Sequence, residues 1–299
     1  MNVFDYIAII YNPNSTGDAP QMAEDLARKI DAKPKSIGVK AVLTPTEAER
    51  HAITLAKRIA SKHKRPLIIS VSGDGGYNEV VNGAMQAKEI SRSASPVVAV
   101  IGAGNANDHR RVMRDKPLID LITAGKPKSF DLLHIEAKAK GFSLNRYAHS
   151  YIGFGITPEV GNELNKRDVN LWAEIRMILK TYRIYAPFRI QRNNAEYVLD
   201  NLLFANINEM AKIIKLDDKN TVHDGRFEVI ELRHRSKIHM LGTLVKAAVI
   251  GFKNPPSFQT YSFKTIDALP IQLDGEIEKL PKNCTVTITA KHAAIDSLF

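Results

Sequence analysis

Apolar residues in the first part of the chain form short continuous runs, each followed by a polar turn and then by a helical pattern. The runs YIAIIY (6–11), LIISVS (67–72) and VVAVIG (97–102) are rich in β-branched residues, as expected of strands covered on both faces. The segment SIGVKAVLT (36–44) alternates and predicts a further strand. This repeated order of strand, turn and helix predicts an α/β fold with a doubly wound, mostly parallel sheet.

A helical pattern follows the strand predicted at residues 36–44. Thr46 and Glu49 have the spacing of a capping box, which predicts that a helix begins near them. The residues predicted for the buried face of this helix are Ala52, Leu55, Ala56 and Ile59.

From about Lys128 onward, strands separated by turns replace the repeat of strand and helix. They predict a mostly antiparallel β domain, interrupted by two helical stretches at about 158–186 and 239–251. The change of pattern divides the chain into a first domain over residues 1–128 and a second over residues 129–291. The last residues, 292–299, are free to return to the first domain.

Length and composition agree with a globular protein of two domains. The chain has 299 residues, of which 44% are hydrophobic and 25% charged. It has no apolar run near the roughly 20 residues of a membrane span, and its N-terminus lacks the features of a signal peptide. A single cysteine, Cys284, fits a reducing compartment. These features predict a cytoplasmic protein without a transmembrane segment.

The formal net charge of +10 favours an acidic partner. Nucleic acid, an anionic membrane surface and a phosphorylated small molecule are all consistent with it, and charge alone does not separate them. Basic residues cluster at 179–192 and 233–240, where plain solvated faces are an equally good interpretation. Nucleic acid ranks last, because the clusters lack regularly interleaved aromatic residues and no nucleic-acid motif is present.

The stretch SVSGDGGYNEVVNG (70–83) places a glycine-rich turn between an apolar run and an amphipathic segment. Such a turn directs backbone N–H groups and the positive end of a helix into one small space, which suits phosphate oxygens. Asp74 is the only charge in the bend, and a carboxylate beside phosphate is favourable mainly when a divalent cation lies between them. The turn therefore predicts a magnesium-nucleotide ligand, although a plain tight turn with an Asx bend is also consistent with it.

Two further loops, NPNSTG (12–17) and GNANDHRR (104–111), follow strands of the same predicted sheet. With residues 70–83 they should line its carboxyl edge, where doubly wound folds bind ligands. The fingerprints of P-loop NTPases, dinucleotide-binding Rossmann enzymes, zincins and α/β-hydrolases are absent from the sequence. Convergence of three loops favours one shared ligand over three unrelated turns.

In order, spacing and strand context, the three loops resemble the successive motifs of the diacylglycerol kinase catalytic-domain family. This family includes bacterial lipid kinases and sphingosine kinases and is more distantly similar to NAD kinases. HDGRFEV (223–229) and LDGE (273–276) resemble its later acidic segments. The resemblance implies an NAD kinase-like α/β domain, a β-sandwich-like domain and an active site in the cleft between them. It also implies ATP, magnesium and a hydroxyl acceptor on diacylglycerol or a related lipid.

The resemblance implies roles for individual residues as well. Asp74 would act through catalytic magnesium, and Glu276 matches the general base that takes the proton of the lipid hydroxyl. Asp224 would bind a structural metal through its side chain and Arg226 through its carbonyl, but plain turns are also consistent with both acidic segments. The residues implied to surround ATP are Asn12, Pro13, Asn14, Ser15, Thr16, Thr44, Ser72, Gly73, Asp74, Gly75, Gly76, Asn78, Glu79, Gly104 and Asn105.

The chain departs from the family pattern at several positions. Gly76 and Asn105 stand where the family has threonine, Ser72 stands where it has glycine, and Glu228 replaces an aspartate. Two lost hydroxyl contacts at about 1 kcal/mol each would weaken ATP binding on the order of tenfold. Two alternatives therefore stay open: a kinase of a soluble substrate such as NAD, and a degenerate nucleotide-binding or membrane-binding module without transfer.

The lipid-kinase interpretation also predicts the partner and the location. A basic surface would dock on anionic headgroups, each nearby Lys or Arg contributing about 1 kcal/mol. The protein would then be cytoplasmic and peripheral to the inner face of the membrane, with a lipid substrate and no nucleic-acid partner. A homodimer is also consistent with the sequence.

Overall fold

The computed structural model describes residues 3–15, 17–91, 94–104, 107–155, 186–210, 214–215, 222–236, 242, 252 and 254–299. The chain divides into two compact units, Met1–Phe130 with Ala293–Phe299, and Asp131–His292. The helical stretches predicted at about 158–186 and 239–251 lie almost wholly outside the described residues, as do Thr16 and Asn105.

The first unit is a parallel sheet whose strands alternate with helices. Its elements are β1 (Tyr6–Tyr11), α1 (Ala19–Asp31), β2 (Ala41–Pro45), α2 (His51–Lys62), β3 (Pro66–Ser72), α3 (Asp74–Ile90), β4 (Val97–Gly102), α4 (Asp108–Met113) and α5 (Leu118–Ala124). The strand order is β2-β1-β3-β4, with every neighbour parallel. The last residues of a C-terminal strand pair in parallel with β4 on its other side. The predicted mostly parallel α/β sheet is confirmed.

The strands β1, β3 and β4 of the first unit are largely buried on both faces. On one face Ile7, Ile9 and Ile69 share a core with residues of α1 and α5. The alternate positions Ala8 and Ile68 are also fully buried. Burial on both faces explains why these strands read as continuous apolar runs.

The strand predicted at residues 36–44 begins only at Ala41. The chain before it is a turn, in which the Ile37 N–H donates a hydrogen bond to the Lys33 carbonyl at 3.0 Å. Only residues 41–44 of the alternating segment therefore belong to a strand.

The predicted capping box does not form, because α2 begins at His51 and not beside Thr46. Its N-cap residue, Arg50, is left-handed with φ 61° and makes no side-chain capping bond. The Thr46 N–H instead donates to the Tyr11 carbonyl at 2.8 Å. The predicted apolar face is correct, since Ala52, Leu55, Ala56 and Ile59 are all buried.

The second unit is built from antiparallel strands. Its strands are β5 (Lys128–Ala139), β6 (Phe142–Ala148), β7 (Tyr151–Gly155), β8 (Phe188–Arg192), β9 (Ala195–Ala205), β10 (Glu209–Met210), β11 (Ile214–Lys215), β12 (Phe227–Arg233), β13 (Ser257–Phe258), β14 (Thr260–Thr265), β15 (Leu269–Leu273), β16 (Glu276–Leu280) and β17 (Thr285–Ser297). The main order is β16-β15-β7-β9-β8-β14-β17. Its pairings are antiparallel, as predicted.

Aromatic side chains fill much of the core of the second unit. Phe204 lies edge-to-face with Phe154 and Tyr261, with ring centroids 5.9 and 5.1 Å away. Such pairs add to the burial of apolar surface, so this core fixes the strands that carry the acidic turns. Among the helices that the structure describes, none combines the length and the apolar content needed to cross a bilayer.

Candidate functional site

Three polar loops leave the parallel sheet side by side at its carboxyl edge. The register pairs Tyr11 with Val71 and Ser72 with Gly102, so the ends of β1, β3 and β4 are adjacent. The Ala103 N–H donates to the Ser72 carbonyl at 2.9 Å and ties the third loop to the second. The structure thus brings together the three loops that the sequence singled out.

The backbones of these loops also touch where glycine is present. A Cβ built on Gly104 would lie 2.7 Å from the Cα of Gly73, a distance that a real side chain does not tolerate. A Cβ on Gly17 would lie 2.4 Å from the Ala103 carbonyl oxygen. Glycine is therefore needed here for close packing of one loop on another.

Asp74 is the first residue of α3 and contacts the start of α4. Its Oδ2 accepts the Asp108 N–H at 3.0 Å, and its Oδ1 accepts the His109 N–H at 3.3 Å. The carboxylate therefore offsets the positive N-terminal end of α4 and holds the second loop to the third. Asp74 is partly exposed. A carboxylate has about four acceptor positions, and each oxygen can accept from more than one group.

Asp108 is an acidic residue of the third loop that the sequence analysis did not select. It is fully buried, and its Oδ1 lies 2.9 Å from the Arg111 guanidinium. Its backbone N–H is one of the two that bind Asp74. The only sequence signal for Asp108 was its acidic character within the motif GNANDHRR.

Two residues predicted to contact ATP have side chains bound within the first unit. Asn78 is fully buried, and its Oδ1 accepts a hydrogen bond from Asn82 Nδ2 at 2.9 Å. Glu79 Oε2 accepts the Ala52 N–H at 3.2 Å and so caps α2. These contacts hold α3 in place. We therefore propose that both residues support the ligand site by positioning α3 and do not contact ATP themselves.

The first loop presents exposed polar groups next to this edge. Asn12 Oδ1 accepts the Asn14 N–H at 2.9 Å, while Ser15 Oγ donates to the Gly17 carbonyl at 2.9 Å. Thr44, the last of the predicted residues on this side, pairs with Ile10 in the β1–β2 register. Pro13, between Asn12 and Asn14, is exposed. In the second loop, Gly75 and Gly76 are half-buried in the first turn of α3.

In the second unit, the segment LDGE forms a hairpin with a two-residue loop. Asp274 and Gly275 have φ values of 48° and 100°, as type I′ hairpin turns require. Leu273 pairs with Glu276, which is therefore the first residue of β16 and is half-buried. The turn thus gives the Glu276 backbone a fixed position at a strand end.

Asp274 is fully buried and anchors this turn. Its carboxylate accepts the backbone N–H groups of His149, Ser150 and Tyr151 at 2.6, 2.9 and 2.9 Å. His149 Nε2 lies 3.4 Å from Asp274 Oδ2, with both side chains fully buried. Bonds from three N–H groups compensate much of the cost of burying a carboxylate. Asp274 thereby fixes the strand that begins at Glu276.

A buried polar chain joins this turn to the HDGR segment. Asn206 Nδ2 donates to the carbonyls of His149 and Asp131 at 3.0 and 2.8 Å. The Asp131 carboxylate in turn accepts the Gly225 N–H at 2.6 Å and lies 3.0 Å from His292 Nδ1. The two acidic segments are therefore connected through hydrogen bonds within one unit.

The HDGR segment is an exposed turn. Asp224 Oδ1 accepts the Arg226 N–H at 2.9 Å, which closes an Asx turn. The Arg226 guanidinium donates to the Ser257 carbonyl at 2.6 Å. Over the described residues, no group of three or more His, Cys, Asp and Glu side chains is arranged to hold a metal ion. A metal bound at this turn would need backbone carbonyls and water in addition to Asp224.

Comparison with known proteins gives this geometry a context. Residues 6–135 match the family model of the diacylglycerol kinase catalytic domain. A diacylglycerol kinase of Staphylococcus haemolyticus is 26% identical over 295 residues, which cover 92% of this chain and 83% of that protein. Sphingoid long chain base kinase 4 of Schizosaccharomyces pombe is 31% identical over 164 residues, 53% of this chain and 34% of that protein.

The fold has relatives among solved structures as well. The structure of a diacylglycerol kinase from Bacillus anthracis str. Sterne matches with a TM-score of 0.71 at 17% identity, over 99% of this chain and 97% of that one. At this identity the match establishes the shared fold.

Proposed function

We propose that the chain, whose residues 6–135 match the diacylglycerol kinase catalytic-domain model, is a phosphotransferase with an alcohol group as acceptor and transfers the γ-phosphate of ATP to a hydroxyl of diacylglycerol or a related lipid. The observation that carries the proposal is the meeting of three loops at one sheet edge, with Asp74 bound to the backbone of the third loop. Loop and helix N–H groups at such an edge suit the phosphates of a nucleotide.

Magnesium fits the residues at this edge. The ion is usually held by one or two carboxylates, several waters and the phosphate oxygens of the substrate. Asp74 is partly exposed and its orientation is fixed by two N–H groups, so it would hold the ion. Magnesium, when bound, neutralises charge that develops on the transferred phosphoryl group.

Glu276 is the proposed general base. The hydroxyl oxygen of the lipid forms a bond to the γ-phosphorus while the bond to the leaving ADP oxygen breaks, and Glu276 accepts the hydroxyl proton. A base must be held in position to act, and the hairpin anchored by buried Asp274 gives Glu276 that support.

An anionic membrane surface is the proposed place of reaction. A net charge of +10 attracts the protein to acidic headgroups, and the lipid acceptor is presented there. The protein would act as a peripheral enzyme.

The test uses the full chain with labelled Mg-ATP and three separate acceptors: diacylglycerol in anionic micelles, a sphingoid base in the same micelles, and NAD without lipid. The proposal expects labelled phospholipid from a lipid acceptor. Glu276→Gln should lower the rate by about 10²-fold or more, since it removes the base. The control is Glu24→Gln, which changes an exposed glutamate of α1 and should keep most of the activity.

Each of the other outcomes would support a different function. Labelled NAD without labelled lipid would indicate a soluble-substrate kinase. ATP binding without transfer to any acceptor would indicate a nucleotide-binding module. Equal rates for the wild type and Glu276→Gln would remove Glu276 from the proposed chemistry.

A further inference from the structure

Arg146 and Glu278 form an ion pair in the second unit, on the strand that also carries the proposed base Glu276. Arg146 Nη1 lies 3.6 Å from Glu278 Oε1. The two side chains are only 9% and 22% exposed, so the pair is largely shielded from water. Because solvent screens charges weakly at such a position, each member of the pair acts on nearby charges more strongly than an exposed residue would.

The ion pair links two strands that share no backbone hydrogen bonds. β6 pairs with β5, and β16 pairs with β15. Arg146 lies opposite Ile135 of β5, and Glu278 lies opposite Ile271 of β15; both isoleucines belong to the core. Directly opposite residues of an antiparallel pair point to the same face, so Arg146 and Glu278 both project toward the core.

Glu276 and Glu278 lie on the same face of β16. Side chains two positions apart in a strand point the same way, with Cα atoms about 7 Å apart. Both glutamates are half-buried, whereas Ile277 and Lys279 on the other face are exposed. Two carboxylates at this separation repel each other, and a cation beside one of them offsets the repulsion.

Asp274 and His149 lie at the turn that precedes Glu276. Asp274 is fully buried and accepts three backbone N–H groups, and His149 Nε2 lies 3.4 Å from it. β15, which pairs with β16, has no titratable side chain, and Arg146 is the charged residue of β6. Since Asp274 and His149 are unchanged by substitutions at Arg146 and Glu278, the effects of these substitutions report on the ion pair.

We propose that Arg146 is a positioning residue: by pairing with Glu278, it keeps the carboxylate of Glu276 ionised and free to accept the proton of the acceptor hydroxyl. The inference rests on the proposed function, in which Glu276 is the general base. Without Arg146, the negative charge of Glu278 favours protonation of Glu276, and a protonated carboxyl cannot act as a base. Without Glu278, the guanidinium of Arg146 is left to pair with Glu276 and holds the base.

The experiment measures phosphorylation of the lipid acceptor by the full chain as a function of pH. Arg146→Met should move the acid limb of the rate profile to higher pH by about half a unit or more, because Glu276 then lies beside an uncompensated carboxylate. Glu278→Gln should move the limb to lower pH and lower the plateau rate by about threefold or more, because the guanidinium binds Glu276. The double variant should return the limb close to the wild-type position, since neither charge remains. Opposite shifts of this kind do not arise from a loss of stability alone.

Lys279→Met is the matched control. It removes a positive charge from the same strand, but Lys279 is exposed on the opposite face, where water screens it. The acid limb should therefore stay in place. Removing one partner of a shielded ion pair also destabilises a protein. If Arg146→Met does not fold, Arg146→Lys keeps the positive charge and should keep the wild-type limb, while Glu278→Gln still tests the shift to lower pH.

A second measurement does not depend on activity. In protein with ¹³C-labelled glutamate, the carboxyl signal of Glu276 is identified by its loss in Glu276→Gln. Its titration midpoint should rise in Arg146→Met and fall in Glu278→Gln. These shifts without phosphorylation of any lipid would reject the proposed function and leave the effect of Arg146 on Glu276 in place.

Two results would overturn the inference. The first is an acid limb and a Glu276 midpoint that stay in place, or move in the same direction, in both single variants. The second is a double variant that remains as far from the wild type as either single variant, which would show that the two side chains act independently.

Discussion

The side chain of Ser72 occupies the space that any side chain on Gly76 would need: a Cβ built on Gly76 lies 2.6 Å from both the Cβ and the Oγ of Ser72. The family pattern has glycine at the first of these positions and threonine at the second. The two differences from the family pattern therefore fit each other: the larger residue at position 72 requires the smaller residue at position 76. The Ser72 hydroxyl lies 2.6 Å from Ser70 Oγ and donates to the Gly73 carbonyl at 3.0 Å. A hydroxyl is thus kept at the start of the loop although the threonine is absent.

The exchange predicts strong coupling between positions 72 and 76. Gly76→Thr alone should lower the free energy of unfolding by about 1–3 kcal/mol, because the new side chain meets Ser72. Ser72→Gly together with Gly76→Thr should recover most of that loss. Urea denaturation of the wild type, both single variants and the double variant measures the coupling, expected at about 1 kcal/mol or more. Additive effects of the two substitutions would show that the side chains do not compete for this space.

The proposed role of Asp74 predicts that the affinity for ATP depends on magnesium through this carboxylate. Asp74→Asn keeps one acceptor oxygen for the α4 N–H groups but removes the charge that would hold the ion. Affinity for Mg-ATP should fall by about tenfold or more, while affinity for ATP in EDTA should change little. Isothermal titration calorimetry with and without magnesium measures both.

Asp18→Asn is the matched control for Asp74→Asn. Asp18 precedes α1, and its side chain makes no capping hydrogen bond. Its replacement should leave both affinities near the wild-type values. An equal loss of affinity in the two variants would contradict a specific role for Asp74.

The parallel strands could be predicted from the sequence because burial on both faces produces unbroken apolar runs. The strands predicted at residues 6–11 and 97–102 have those bounds in the structure. The start of α2 could not be predicted in this way. Its capping carboxylate is Glu79 of α3, which accepts the Ala52 N–H from a position 27 residues away in the chain. A local capping pattern does not contain that information.

The candidate site was predictable where its residues form motifs and was missed where they act through long-range contacts. The glycine-rich loops and Asp74 could be identified because their spacing is local. Asn206 was missed, since its role depends on the carbonyls of Asp131 and His149, which are distant in sequence. Asp274 lies inside a segment that the sequence singled out, but its burial and its three N–H donors appear only in the folded chain.

Asp274 predicts a substitution that affects both stability and activity. Asp274→Asn retains the shape of the side chain, but its one remaining oxygen cannot serve three N–H donors as well as a carboxylate. The free energy of unfolding should fall by about 2 kcal/mol, because charge-assisted bonds to buried groups are lost. Lipid phosphorylation should fall as well, since Glu276 follows the same turn. Chemical denaturation and the labelled-lipid assay measure the two effects.

Asp267 provides the matched control for Asp274. It is an exposed aspartate whose pKa is held below its ordinary value by the hydrogen bond from Arg189. Its lowered pKa means that its stabilising effect is present above the ordinary pKa and is lost as the pH falls through the lowered one. At neutral pH this effect is present but small, because ion pairs between partly exposed side chains contribute little, so Asp267→Asn should lower stability only slightly and leave activity unchanged. Full activity in Asp274→Asn would show that the buried aspartate does not position Glu276.

Cys284 predicts how the single thiol responds to pH and unfolding. It is fully buried, and burial raises the pKa of its thiol above the ordinary value. The native chain therefore favours the protonated thiol, and the stability this adds is present below the ordinary pKa and lost as the pH rises through the raised one. Because the thiolate is the reactive form, labelling by a disulfide reagent at pH 8 should be slow in the native protein and complete within seconds in urea. Cys284→Ala should show no labelling in either state. Rapid labelling of the native wild type with an unchanged circular dichroism spectrum would mean that this thiol is accessible and that its burial in the core of the second unit is wrong.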